Sequence, residues 1–213
     1  MKPIFIDNQQ GNTLAKAITG FLKSLRDKDK IPDELNIASA YFSPQGLSLL
    51  IKEIKHITKI KLLLGAEPTP ESLIPKRNPE DPKEPEFTKR RLNNALGQIE
   101  KGLRHDRNLI PFNIEENRTI QKLLKFLNSE QIEVRRYEDN FLHAKAFIFR
   151  GQNRGLLSGS ANLTRAGLQN NLELDVGHYD DPLLGKVENW FDQLWEEAKP
   201  FDLAAIYEEL LVR

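Results

Sequence analysis

No cysteine occurs in the 213 residues. That excludes disulfides, thiolate zinc sites, iron–sulfur clusters and cysteine nucleophiles, and suits a chain that works inside the cell. Long apolar runs are missing too. The N-terminal Met1-Lys2-Pro3-Ile4-Phe5-Ile6-Asp7 has too few apolar residues for a secretory signal, and no later segment reaches membrane-spanning length. A cytoplasmic protein without a membrane anchor is therefore expected. Net charge is absent as well, since 31 Lys and Arg balance 31 Asp and Glu. No overall field draws in a polyanion, so nucleic-acid contact must come from local asymmetry. Basic residues collect between Thr88 and Asn108, and again at Arg135, Arg136, Arg150, Arg154 and Arg165.

What is present is an alternation of strand and helix. Ile4-Phe5-Ile6 reads as a short strand, and Asn12 or Thr13 can cap a helix through about Arg26. Glu34–Phe42 reads as a strand, Ser43-Pro44 opens a helix, and Ile60–Leu64 is a buried strand ending at Gly65. This rhythm predicts a layered α/β domain. Repeated prolines between Glu67 and Phe87 predict an exposed loop, followed by helices at about Thr88–Arg104 and Ile114–Asn128 with a break at Leu109-Ile110-Pro111-Phe112. Residues 1–213 thus read as one domain with an insertion at about 67–130. Strands follow at Ile132–Tyr137, Leu142–Phe149, Gly155–Ser160 and Leu172–Gly177. The helical end, Pro182–Leu211, packs through Val187, Trp190, Phe191 and Trp195 and breaks at Pro200. Its amphipathic run stops at Arg213, which gives the expectation of a piece of a longer protein.

The chemistry concentrates in Phe141–Asn162, FLHAKAFIFRGQNRGLLSGSAN. On a strand, His143 and Lys145 project to the same face. A hairpin centred between Gln152 and Asn153 sets Asn162 opposite His143 and Ser160 opposite Lys145, with Gly159 leaving room for close approach. Farther on, alternation turns Leu172, Leu174 and Val176 inward and Glu173 and Asp175 to the other face. From there Glu173 can fix the tautomer of an imidazole. A phosphate ester under attack needs a base, positive donors for its non-bridging oxygens and an acid for the departing oxygen. Lys145 and Asn162 supply donors, with Ser160 beside them, and His143 supplies one base. One imidazole does not serve both sides of an in-line displacement, so a second histidine must come from elsewhere.

His143-Ala-Lys145 followed by Gly159-Ser160-Ala-Asn162 resembles the H-x-K motif of the phospholipase D superfamily. The tail from Asn162 through Asn171-Leu-Glu173-Leu is similar to the nuclease-like branch, which includes metal-independent restriction nucleases and domains attached to bacterial helicases. Ala40-Tyr-Phe-Ser-Pro-Gln-Gly46 resembles a strand-to-helix turn of that branch. The resemblance implies a phospholipase D-like mixed β-sheet flanked by helices, one motif per chain, and a homodimer whose paired motifs meet at one active site. One His143 would form a phosphohistidine and the other would protonate the leaving oxygen. Lys145, Ser160 and Asn162 would hold the phosphate, and Glu173 would orient the imidazole. No metal and no cofactor are implied. DNA is the implied substrate, and a helicase or other domain beyond Arg213 an implied partner.

Ser43, Arg150, Arg154 and Arg165 are candidate DNA contacts. Arg150 replaces the superfamily's usual aspartate, seven residues after the histidine; at a hairpin mouth its role reads as structural. A lipid substrate is disfavoured by the lack of an amphipathic membrane anchor. The alternative is a non-catalytic DNA-binding or dimerisation module of a helicase or restriction protein, a reading that Arg150 supports.

Overall fold

The computed structural model describes residues 2–65, 84–108 and 114–208. Its elements run β1 (Phe5–Ile6), α1 (Leu14–Arg26), β2 (Glu34–Ser39), α2 (Pro44–Ile54), β3 (Lys59–Leu64), α3 (Glu84–Asn108), α4 (Ile114–Leu127), β4 (Ile132–Arg136), β5 (Lys145–Arg150) and β6 (Gly155–Gly159). A π-helical turn (Ala166–Asn170), β7 (Asp175–His178), α5 (Asp181–Glu197), β8 (Lys199–Pro200) and α6 (Leu203–Glu208) complete the chain. The strands form one mixed sheet of order β1-β7-β6-β5-β2-β3-β4-β8. Pairing is parallel for β2-β3-β4, where helices make the crossovers, and antiparallel elsewhere.

Helices cover both faces. Leu35, Ile37, Leu62, Phe147 and Phe149 pack with Ile18, Leu22, Leu47 and Leu50 of α1 and α2. On the other face Ala38, Leu63, Ala146 and Ile148 meet Leu184, Phe191 and Trp195 of α5. A strand buried on both sides reads as a nearly continuous apolar run, which is how ELNIAS of β2 is written. Thr13 caps α1 by accepting from the Lys16 N–H, and Ser43 caps α2 by accepting from the Gly46 N–H with Pro44 in the first turn.

Several boundaries differ from the sequence reading. β2 stops at Ser39, and beyond it Phe42 makes a single bridge to Leu163. α3 begins at Glu84, within the Pro-rich stretch, because proline is tolerated in a first helical turn. The rest of that stretch to residue 83, the Leu109–Phe112 break and residues 209–213 lie outside the described residues. The C-terminal helix divides at Lys199-Pro200, which pair with Arg136 and Arg135 at the sheet edge, where proline's missing N–H is tolerated.

The β5–β6 hairpin is shifted by one residue from the predicted register. Ala146 faces Ser158 and Phe149 faces Gly155 across a five-residue loop, so the turn centres on Gln152. Gly151 takes the left-handed conformation there, at φ 115°, and the Asp33 N–H donates to the Arg150 carbonyl. A one-residue slip exchanges the faces of every partner, and the ladder carried one step further sets Lys145 against Gly159 instead of Ser160. Among the described residues no helix is long and apolar enough to cross a membrane.

Candidate active site

Lys145 opens β5 opposite Ser39, the last residue of β2. His143 lies two residues before the strand, exposed, in an irregular segment. Its backbone is set by Leu142, whose carbonyl passes over the end of β3 so closely that a Cβ on Gly65 would collide with it. The pairing with Lys145 therefore arises from side-chain reach rather than from the pleat. Lys145 Nζ lies 3.0 Å from His143 Nε2 and 3.1 Å from the His143 carbonyl oxygen. With the ammonium donating to Nε2, a neutral ring carries its proton on Nδ1. On the preceding residues, Phe141 packs with Leu92 and Leu96, and Arg91 lies 6.0 Å from its ring, so basic α3 borders this segment.

The loop leaving β6 is held bond by bond. The Ser160 N–H donates to the Leu174 carbonyl, the Ala161 N–H to the Asp175 carboxyl, and the Leu163 N–H to Ser39 Oγ at 2.9 Å. Ser39 Oγ in turn donates to the Tyr41 carbonyl, and the Tyr41 N–H donates to Asn162 Oδ1 at 3.3 Å. This leaves the Asn162 amide hydrogens for an incoming oxygen. The predicted group is thus gathered at one end of the sheet: His143 and Lys145 from the start of β5, Ser160 and Asn162 from the end of β6.

Glu173 is placed differently. Its carboxylate accepts from Ser160 Oγ and from Asn171 Nδ2, so within one chain it holds the loop after β6. β7 begins only at Asp175, and the predicted inward and outward phases are exchanged. Leu172 and Leu174 are 78% and 55% exposed, whereas Asp175 is 2% exposed. The cause is its neighbour across the ladder: Gly159 has no side chain, and the Asp175 carboxyl fills that space.

Asp175 is a residue the sequence reading set on the wrong face. Burial raises its carboxyl to about 6 against the helping Ala161 N–H, and the nearby Glu173 charge pushes it the same way. Its Oδ2 has no hydrogen-bond partner among the described residues. The signal that could have found it is the glycine in GSAN.

Two of the proposed DNA contacts are committed elsewhere. Arg150 ends β5, five residues and roughly 17 Å of strand from Lys145. Both its terminal nitrogens bond Asp192 at 2.8 Å, and one reaches Glu34 at 3.2 Å. These bonds strengthen the proton hold of Arg150 and lower that of Asp192. Arg154 is bound by Glu188 and Asp181. Both guanidiniums clamp the hairpin mouth to α5. Ser43 is occupied as a helix cap and also accepts the Arg165 N–H at 3.2 Å. Arg165 itself stays exposed beside the loop.

One protein family, described as cardiolipin synthase, PLD-like domain, matches residues 29–195. The chain belongs to this family, a class with the phospholipase D-like fold. Among solved structures, phosphatidylserine synthase from Haemophilus influenzae superposes with a TM-score of 0.53 at 20% identity, covering 93% of this chain and 39% of that one. Polyphosphate kinase from Porphyromonas gingivalis gives 0.51 at 13% identity, with 98% and 28% covered. NucT from Helicobacter pylori gives 0.48 at 13% identity, with 88% and 92% covered. No curated protein matches the chain. At these identities the structural likeness is one of fold.

Proposed function

We propose that the chain is a metal-independent phosphodiesterase that cuts DNA through a phosphohistidine at the interface of a homodimer. The observation that carries this reading is the 3.0 Å contact of Lys145 Nζ with His143 Nε2 at the sheet end that also presents Ser160 and Asn162. In the first step Nε2 attacks phosphorus and the bond to the departing oxygen breaks. That oxygen takes its proton from the imidazolium of a second copy's His143. Water then attacks phosphorus and gives its proton to the second imidazole. The P–N bond breaks, and both rings return to their starting states. Lys145 and Asn162 hold the non-bridging oxygens throughout, and Ser160, whose hydroxyl donates to Glu173, joins them when an incoming phosphate oxygen takes over that hydrogen bond. Glu173, engaged by Ser160 and Asn171 in its own chain, is assigned to orient the imidazole that the second copy brings.

DNA is preferred as substrate because the Asn162–Leu174 tail resembles the nuclease-like branch. The non-catalytic alternative drew on Arg150, and the bonds of Arg150 to Asp192 and Glu34 supply a structural reason for that residue. The direct test is hydrolysis of DNA and of a bis-aryl phosphodiester in EDTA by wild type and His143→Ala. Turnover by wild type alone is expected. A wild-type protein that binds DNA but stays inert in EDTA and with added metals would falsify the enzymatic reading. Sedimentation tests the dimer, since a strict monomer has no second imidazole.

A further inference from the structure

An open groove of about 410 Å³ lies between α1 and α2, lined by Lys16, Gly20 and Lys23 of one helix and Lys52 and Glu53 of the other. On α1 the spacing of four and then three residues puts Lys16, Gly20 and Lys23 on one face, with the two lysines about 10 Å apart along the axis. Glu53 does not neutralise them, being 5% exposed and bound by Arg26 at 2.6 Å. None of the three ammonium groups makes an ion pair among the described residues. By contrast Arg135, Arg136, Arg150, Arg154, Lys61 and Lys199 each have a carboxylate within 4.0 Å. The groove thus brings side by side, on two packed helices, three ammonium groups without carboxylate partners among the described residues. A Cβ at Gly20 would meet nothing within 4 Å, so the floor of the groove is open at that point.

The groove leads from the loop after β6. Both helices start at that end of the sheet. Asn8 accepts the first N–H of α1 and donates to the Gly167 and Asn171 carbonyls, while Ser43 caps α2 and accepts the Arg165 N–H.

We propose that this groove is a track for the DNA backbone outside the cleaved bond, with Lys16, Lys23 and Lys52 binding phosphates by charge and without regard to sequence. The inference rests on the reading of DNA as substrate. Ten ångströms between the α1 lysines equals about three nucleotide steps of rise along a duplex axis, at 3.4 Å each.

The test is the triple variant Lys16→Gln, Lys23→Gln, Lys52→Gln, measured for affinity to a duplex across a salt series and for hydrolysis of a bis-aryl phosphodiester. Affinity at low salt should fall roughly 10- to 100-fold, and the slope of log affinity against log salt should shrink by about 2 to 3. Small-diester hydrolysis should be unchanged. Unaltered affinity and slope overturn the groove and leave the phosphodiesterase intact. A wild type that hydrolyses the small diester but binds no DNA removes the substrate reading, and the groove with it. If the glutamine variant also loses small-diester hydrolysis, the triple arginine variant decides. DNA affinity kept by arginine supports the track; equal loss in both overturns it.

Discussion

Gly159 and Asp175 face each other across the β6–β7 ladder, and Asp175 Oδ1 lies 2.6 Å from the point where a Cβ on Gly159 would stand. The space is shared with the Leu174 carbonyl, which accepts the Ser160 N–H. The Leu174 carbonyl and the Asp175 Cα, the latter 2.6 Å from that point, are backbone, so both the strand and the loop after β6 must shift to admit a methyl group. Gly159→Ala should cost about 2 to 3 kcal/mol, the scale of overpacking in a filled interior. Urea unfolding gives the stability, and diester hydrolysis on the folded fraction should drop as well.

The buried Asp175 carboxyl makes stability depend on pH. Its folded value of about 6 lies above the ordinary aspartate value, so the folded state holds the proton more tightly than the unfolded chain. Stability is therefore complete below about pH 4 and lost as pH rises toward and past 6. The shift corresponds to about 3 kcal/mol. Asp175→Asn keeps an acceptor for the Ala161 N–H and removes the titration. Between pH 4 and pH 8 the stability difference should move by about 3 kcal/mol in favour of the variant. Parallel melting curves of the two proteins across that range would show that Asp175 does not titrate near 6.

The Lys145 ammonium occupies the Nε2 lone pair of His143, so in the proposed mechanism a bound phosphate draws the lysine onto its own oxygen before the ring attacks. Lys145→Ala thus removes a transition-state donor while leaving a more accessible base. We expect kcat to fall by about 100- to 1,000-fold, the usual loss for a preorganised donor, while His143→Ala abolishes phosphohistidine formation. Acid-labile labelling from a phosphorus-labelled substrate distinguishes them: slow but present in the first variant, absent in the second.

Arg150→Ala leaves Asp192 and Glu34 without their shared cation at a partly buried junction, where Arg150 is 24% exposed. The expected destabilisation is about 2 to 3 kcal/mol, below the range for a fully buried pair. Arg150→Asp, which restores the residue usual in the superfamily, places a third carboxylate there and should be worse. Thermal unfolding ranks the two, and neither should change diester hydrolysis per folded molecule.

The helices and the central strands were legible because their signals are local: the Thr13 and Ser43 caps, the 3.6-residue periodicity of α1, the unbroken apolar run of β2. The candidate site residues were chosen by chemical type, and their geometry was not legible. Alternation along Leu172–Val176 defines a parity and not a phase, and the phase is set by Gly159 on another strand. The hairpin register depends on Gly151 and on Asp33, more than a hundred residues away in sequence. Arg150 and Arg154 looked like a basic patch because their partners Asp192 and Glu188 lie on α5. Lys16, Lys23 and Lys52 carry no local signal that joins them, and only the side-by-side packing of α1 and α2 brings them to one groove.

The hydrogen bond from the Leu163 N–H to Ser39 Oγ joins residues 124 apart in the chain. A ribosome adding about 5 to 20 residues per second needs roughly 6 to 25 seconds to make the intervening segment. Through that interval Ser39 has no Leu163 N–H to accept, so this joint between the end of β2 and the loop after β6 closes only once the β5–β6 hairpin has been made.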